Sequence, residues 1–298
     1  MQEDSQPRFV RLCSGAFVLG ITLLSVDSNG LAQSGTEKLG ANSYEVVMRL
    51  SDEFEKSGED KPLMALTNLI PKNMYGPNAA GALNLLVRKV TRKQAQSIIV
   101  PAFVAGLNST NADIRRSVAI GLSEYSACVA PDLPALIKFL GAYRQEDMFD
   151  TDTRVIDAIG SVGKDASAAI PTLLKIIDWK PTDISTFEDL SCRVAAVKAI
   201  GRIGFSDSVT RSRLEKAFSD ANVYVRFRAA TALIDNKFIS EAALATLSQT
   251  MTNGHIGFTL GSDTLQSIRA AVKNANPAVQ KSARDFLTKF GATKGEPQ

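Results

Sequence analysis

Apolar residues return along this chain in a rhythm that belongs to helices. Five segments, starting at Pro101, Pro134, Pro171, Ser212 and Ala245, place an apolar residue at their third position: Phe103, Leu136, Leu173, Leu214 and Leu247. Each places another at its seventh: Leu107, Leu140, Ile177, Phe218 and Met251. An apolar pair at i and i+4 marks one buried stripe of a helix. The five starts lie 33, 37, 41 and 33 residues apart, a period that belongs to stacked two-helix units. Proline opens three of the segments, which predicts an early helical turn where a missing N–H costs little.

A second pattern precedes each of these helices. Its fullest copy is CRVAAVKAIGRIG, Cys192 to Gly204, with Arg193, then Ala195, Ala196, Ala199 and Ile200 at helical spacing, then two glycines three apart. Ile114-Arg115, Val225-Arg226 and Val279-Gln280 open similar alanine-rich helices, and the unit carrying Gly160 and Gly163 has Asp152 in the arginine's place. Glycine suits a tight helix exit because it adopts the left-handed conformation cheaply. Asn111, Asp189, Asp220 and Asn276 stand ahead of these helices as expected N-caps.

These residues closely resemble a HEAT repeat, in particular the short kind named after the phycobilisome lyases. That pattern runs approximately D-x-x-V-R-x-x-A-x-x-A-L-G-x-[LI]-G, followed by a second helix with A-x-P-x-L. The match is strongest over residues 189–204, weaker over 150–174 and 111–137, and partial over 220–234. The resemblance implies an all-α fold, a HEAT/armadillo-like superhelical solenoid of about seven helical hairpins. It also places the second helices on the concave surface. The array is expected over residues 78–291, preceded by an N-terminal cap at 43–77 with helices from Ser43 to Lys56 and Asp60 to Ile70. A helix through Ala79 to Val90 follows the PKNMYGPN loop. At the far end, helices are expected from Asp263 to Lys273 and Pro277 to Phe290, their pairing left open, and residues 292–298 read as a disordered tail.

Residues 1–32 read differently. Arg8 and Arg11 precede an uncharged run from Leu12 to Val26, and small residues follow at Gly30 and Ala32. This is the layout of a secretory signal cleaved after Ala32, leaving 33–42 as a linker. A run of ~15 residues is short of the ~20 that cross a bilayer as a helix, although an uncleaved anchor remains the alternative. The expectation is an exported, periplasmic protein with no transmembrane span after cleavage. Export permits disulfides, but Cys128 and Cys192 sit two repeats apart, beyond the ~7 Å reach of a bridge. Two free, buried thiols are expected. A net charge of +3 is too small to imply nucleic-acid binding.

Motifs of catalysis are missing from the chain. His255 is the only histidine, and no nucleophile motif, phosphate-binding glycine loop, metal-ligand spacing or cofactor motif accompanies it. The reading is therefore non-enzymatic: a scaffold or adaptor that recognises a protein or peptide partner, acidic in character, with no cofactor and no metal. Two alternatives stand beside it. The resemblance includes lyase subunits that attach bilins, and the array could equally be a structural part of an envelope assembly.

Three sets of residues are candidates for the binding work. Arg115, Arg193 and Arg226 recur at one repeat position, either as an anion-binding row or as braces to loop carbonyls or an aspartate. Lys138, Lys175 and Lys216 occupy the fifth position of three consecutive second helices, as a basic stripe for an acidic partner or as ordinary cations near helix C-termini. Finally, the interval from the seventh position to the next opening motif is 8 residues after Leu107 and Phe218, but 12 after Leu140 and 16 after Ile177. These two insertions carry Tyr143, Phe149, Trp179 and Phe187, as contacts for a partner or as lids folded over the apolar seam.

Overall fold

The computed structural model describes residues 43–142, 149–179, 187–253 and 259–291. Residues 43–298 form one compact unit, and the described residues hold helices and turns with no strand. The first hairpin joins α1 (Ser43–Ser57) to α2 (Asp60–Thr67). In the second, α3 (Gly76–Leu85) pairs with a continuous helix made of α4 (Arg92–Gln94), a π turn (Ala95–Ile99) and α5 (Val100–Gly106). Then come α6 (Ala112–Glu124) with α7 (Leu133–Gly141), and α8 (Phe149–Val162) with α9 (Ile170–Asp178). Next are α10 (Phe187–Ile203) with α11 (Ser208–Lys216), and α12 (Val223–Asp235) with α13 (Glu241–Asn253). The last hairpin is α14 (Ser262–Ala271) with α15 (Pro277–Phe286).

The hairpins stack in two layers. In one layer α1, α3, α6, α8, α10, α12 and α14 each pack on the next; in the other α7 packs on α9, α9 on α11, and α13 on α15. This is an α-solenoid, and its core lies between the layers. The third-position residues Phe103, Leu136, Leu173, Leu214 and Leu247 are all fully buried. Of the seventh-position residues, Leu107, Leu140 and Ile177 are buried, while Phe218 and Met251 are half-buried against the last cluster. Burial of each large apolar side chain contributes about 1.5–3 kcal/mol, so the stripe read from the sequence is the seam that joins the layers.

The two glycines of the opening motif do different jobs. At Gly160 a Cβ would lie 2.9 Å from Ala199 Cα, and at Gly201 it would lie 3.0 Å from Ala232 Cβ. The first glycine thus lets successive first-layer helices approach closely. The second provides the exit: Gly163 and Gly204 have φ of +72° and +80°, the left-handed conformation that costs other residues about 1–2 kcal/mol. In α12 the equivalent exit residue is Lys237, which holds φ of 70° without being glycine.

Several expectations are corrected. Pro134 and Pro171 stand in the first turn of α7 and α9, but Pro101 sits well inside a helix that begins at Arg92. The π turn directly ahead of it accommodates a ring that an unbroken α-helical ladder would clash with. Asn111 and Asn276 cap α6 and α15 as expected. Asp220 does not cap α12; Asn222 does, accepting from the N–H groups of Tyr224 and Val225. Asp189 lies inside α10, which starts at Phe187, and α8 starts at Phe149, so both insertions are partly helical. The open pairing at the end is also settled. Although α15 carries the opening motif, α14 packs on α12 and α15 on α13, so the two form a hairpin. Cys128 and Cys192 are buried and not bridged to each other. The signal segment, the linker, His255 and the tail fall outside the described residues, and no described helix is long and apolar enough to cross a membrane.

Candidate binding surfaces

The arginine row braces the fold. Arg115 donates to the carbonyl of Ser109 at 2.8 Å, and Arg226 donates to the carbonyl of Asp220 at 2.6 Å. Each reaches back six residues into the loop that precedes its own helix. Gln280, at the same motif position, does the same to Asn274 at 2.6 Å. Arg193 does more, because it is buried between units. Its Nε donates to Ile177 in the preceding hairpin at 3.0 Å, and its guanidinium pairs with Asp220 ahead of the following one. A buried guanidinium must be paired and hydrogen-bonded to be tolerated, and this one is.

Asp152 stands where these braces stand and cannot act as one. It is 1% exposed, and neither carboxylate oxygen has a hydrogen-bond partner among the described residues. Burial pushes its carboxyl from the usual 3.8 up to about 7, since desolvation penalises the charged form.

The lysine row has the opposite character. Lys138, Lys175 and Lys216 are exposed, on α7, α9 and α11, which pack in succession. None of the three makes an ion pair or a hydrogen bond from its ammonium among the described residues. Of the four aromatic candidates, Trp179 is half-buried at the C-terminus of α9, where its extended backbone ends the helix. It has contacts of its own. Tyr143 lies outside the described residues, and Phe149 and Phe187 are the first residues of α8 and α10. The structure therefore brings the lysines onto one layer, while the side chains of Tyr143, Phe149 and Phe187 lie outside what it describes.

A different feature had no counterpart in the sequence reading. A hollow of 790 Å³ opens where the C-terminal halves of α8, α10 and α12 face the start of α14. Lys198, Arg202 and Arg228 line one side, Asp235 and Asp263 the other, with Lys237 between. On the basic side, Lys198 and Arg202 share one carboxylate, Asp157 of α8, at 3.0 and 3.8 Å. Arg228 lies over the ring of its neighbour Phe227, 5.5 Å from the centroid, and its guanidinium has no hydrogen bond among the described residues. Burial, and then the like charge of Arg202, hold its pKa below the usual arginine value, with Asp157 opposing. On the acidic side, Asp235 accepts from the Thr264 hydroxyl at 2.7 Å, and Lys237 donates to Ser267 at 2.9 Å. The one signal in the sequence was the lysine at 237 in a glycine position.

No protein-family model matches the chain, and no characterised protein matches it in sequence. Solved structures do match in helix arrangement. One is the complex of CpcE and CpcF of phycocyanin lyase from Nostoc sp., with 16% identity and a TM-score of 0.41 over 89% of this chain and 99% of that one. Another is a computationally designed armadillo repeat protein for modular peptide recognition, with 17% identity and a TM-score of 0.38 over 83% and 99%. A third, an engineered protein, gives 15% identity and a TM-score of 0.49 over 86% and 66%. The fold is an α-solenoid on its own helix packing, and likenesses with TM-scores below 0.5 add nothing to that.

Proposed function

We propose that the chain is an exported, non-enzymatic scaffold that binds an extended acidic segment of a protein partner along its second-helix layer. One observation supports it most: three exposed lysines, at one repeat position on three successive helices, carry charge that no described residue neutralises. Stacked helices lie ~8–10 Å apart, so neighbouring ammonium groups would meet carboxylates spaced along an extended chain at ~3.3 Å per residue. Single exposed ion pairs contribute little, whereas a row acting on one polymer adds its contributions through a shared tether. Capture of partners from an envelope fraction by the wild type, and their loss in a Lys138→Glu/Lys175→Glu/Lys216→Glu variant, is the expected result. Equal capture by both would overturn the reading.

The export half of the proposal rests on the segment from Arg8 to Ala32. Its test is the N-terminus of the mature protein recovered from cells: cleavage after Ala32 and release into the periplasm are expected. Recovery of the uncleaved chain from the cytosol would contradict it.

A further inference from the structure

The hollow between α8, α10, α12 and α14 is separate from the lysine row and needs its own account. Its basic side holds three cations, two of them, Lys198 and Arg202, paired with a single carboxylate, Asp157. Helix C-termini attract cations through the macrodipole, which accounts for Arg202 at the end of α10. It does not account for Arg228, in the middle of α12. The Arg228 guanidinium is half-buried and its hydrogen-bonding edge meets no described acceptor, so it can present a fork of donors to an oxyanion.

The remaining walls narrow the choice. Lys198 and Arg202 share one carboxylate and Arg228 pairs with none among the described residues, which leaves on this side an excess of positive charge that suits a doubly charged tetrahedral oxyanion better than a single carboxylate. The volume, 790 Å³, lies within the range of small-molecule sites and leaves room for far more than a bare ion. Across the hollow, Asp235 and Asp263 would repel an anion, so the far end of the ligand must donate hydrogen bonds. Lys237 stands beside these carboxylates, so neutral hydroxyls suit them better than a further cation. Lys237 itself is held at φ 70°, where Gly163 and Gly204 serve the preceding units.

We propose that this hollow binds a small phosphorylated polyol, its phosphoryl group held by Arg228, Arg202 and Lys198 and its hydroxyls by Asp235 and Asp263. Titration calorimetry on the full chain, with glycerol 3-phosphate, inorganic phosphate, glycerol and phosphoethanolamine as probes, tests it. Glycerol 3-phosphate is expected to bind, inorganic phosphate about tenfold more weakly, and glycerol not at all. Arg228→Gln is expected to weaken glycerol 3-phosphate about tenfold or more, as for loss of a charge-assisted hydrogen bond. Arg202→Gln, at an exposed position, should weaken it without affecting the fold, and so decides the matter should Arg228→Gln not fold. Lys138→Ala should leave this binding unchanged, which keeps the outcome independent of the lysine row. No heat with glycerol 3-phosphate at about 10 mM, or unchanged affinity in both arginine variants, would overturn the site. Tighter binding of phosphoethanolamine or of bare phosphate would overturn the polyol assignment.

Discussion

One position in the repeat shows how much a single side chain can differ in role while the backbone stays the same. Arg115 and Arg226 tie down a loop, Arg193 ties three hairpins together, and Asp152 is a buried carboxyl with no described partner. For Asp152 the folded-state pKa, about 7, lies above the unfolded value near 3.9. Between those two pH values the folded protein binds more protons than the unfolded chain, so this group lowers stability as pH rises from about 4 to about 7. Asp152→Asn, a neutral near-isostere, should flatten that slope by up to about 1.4 kcal/mol per pH unit and raise stability at pH 8. Urea unfolding of both proteins at several pH values measures it, and an unchanged pH profile would contradict the burial account.

The element scale is where the sequence spoke most clearly. Third-position residues from Phe103 to Leu247 are buried without exception because a helix packed between layers has one face to hide, and 3.6-residue periodicity fixes which. The same logic left the place of α15 open: its Asn276 cap and Gln280 brace copy a first-layer helix, yet it packs in the second layer. Caps and braces are local to one helix end, whereas layer membership depends on what lies alongside. The early starts of α8 and α10 were equally hidden, since a few added helical residues need no new motif. Where local and inter-unit roles coincide, substitution should cost most. Arg193→Ala strips a partner from Asp220 and from the Ile177 carbonyl, and a loss of about 3–5 kcal/mol is expected. Arg115→Ala removes the brace to the Ser109 carbonyl within its own unit and should cost less, on the order of 1 kcal/mol for that bond. Chemical denaturation compares the two, and equal losses would show that Arg193 does not join the units.

Across the whole molecule, architecture was legible and the hollow was not. The lysine row could be read because its members share one repeat position. The hollow's cations share none: Arg228 falls where the α10 unit has Ala195, and Lys237 falls where it has Gly204. Such a site exists only after α8, α10, α12 and α14 are stacked, so spacing along the chain carries almost no trace of it. Conversely, the stretch from Cys192 to Gly204, the best copy of the repeat, supplies mainly packing and bracing residues. Stability in such arrays is close to a sum over units and their interfaces, so exposed residues such as Lys138, Lys175 and Lys216 are free to serve binding without cost to the fold.

That separation allows a direct test of the central claim, that the second-helix layer binds acidic polypeptide. Binding of poly-glutamate is measured for the wild type and for Lys138→Glu/Lys175→Glu/Lys216→Glu, at rising salt and at matched unfolding midpoints. The account predicts binding by the wild type that weakens with salt as screening grows, and none by the variant. Equal affinity of the two proteins, or wild-type binding indifferent to salt, would contradict it.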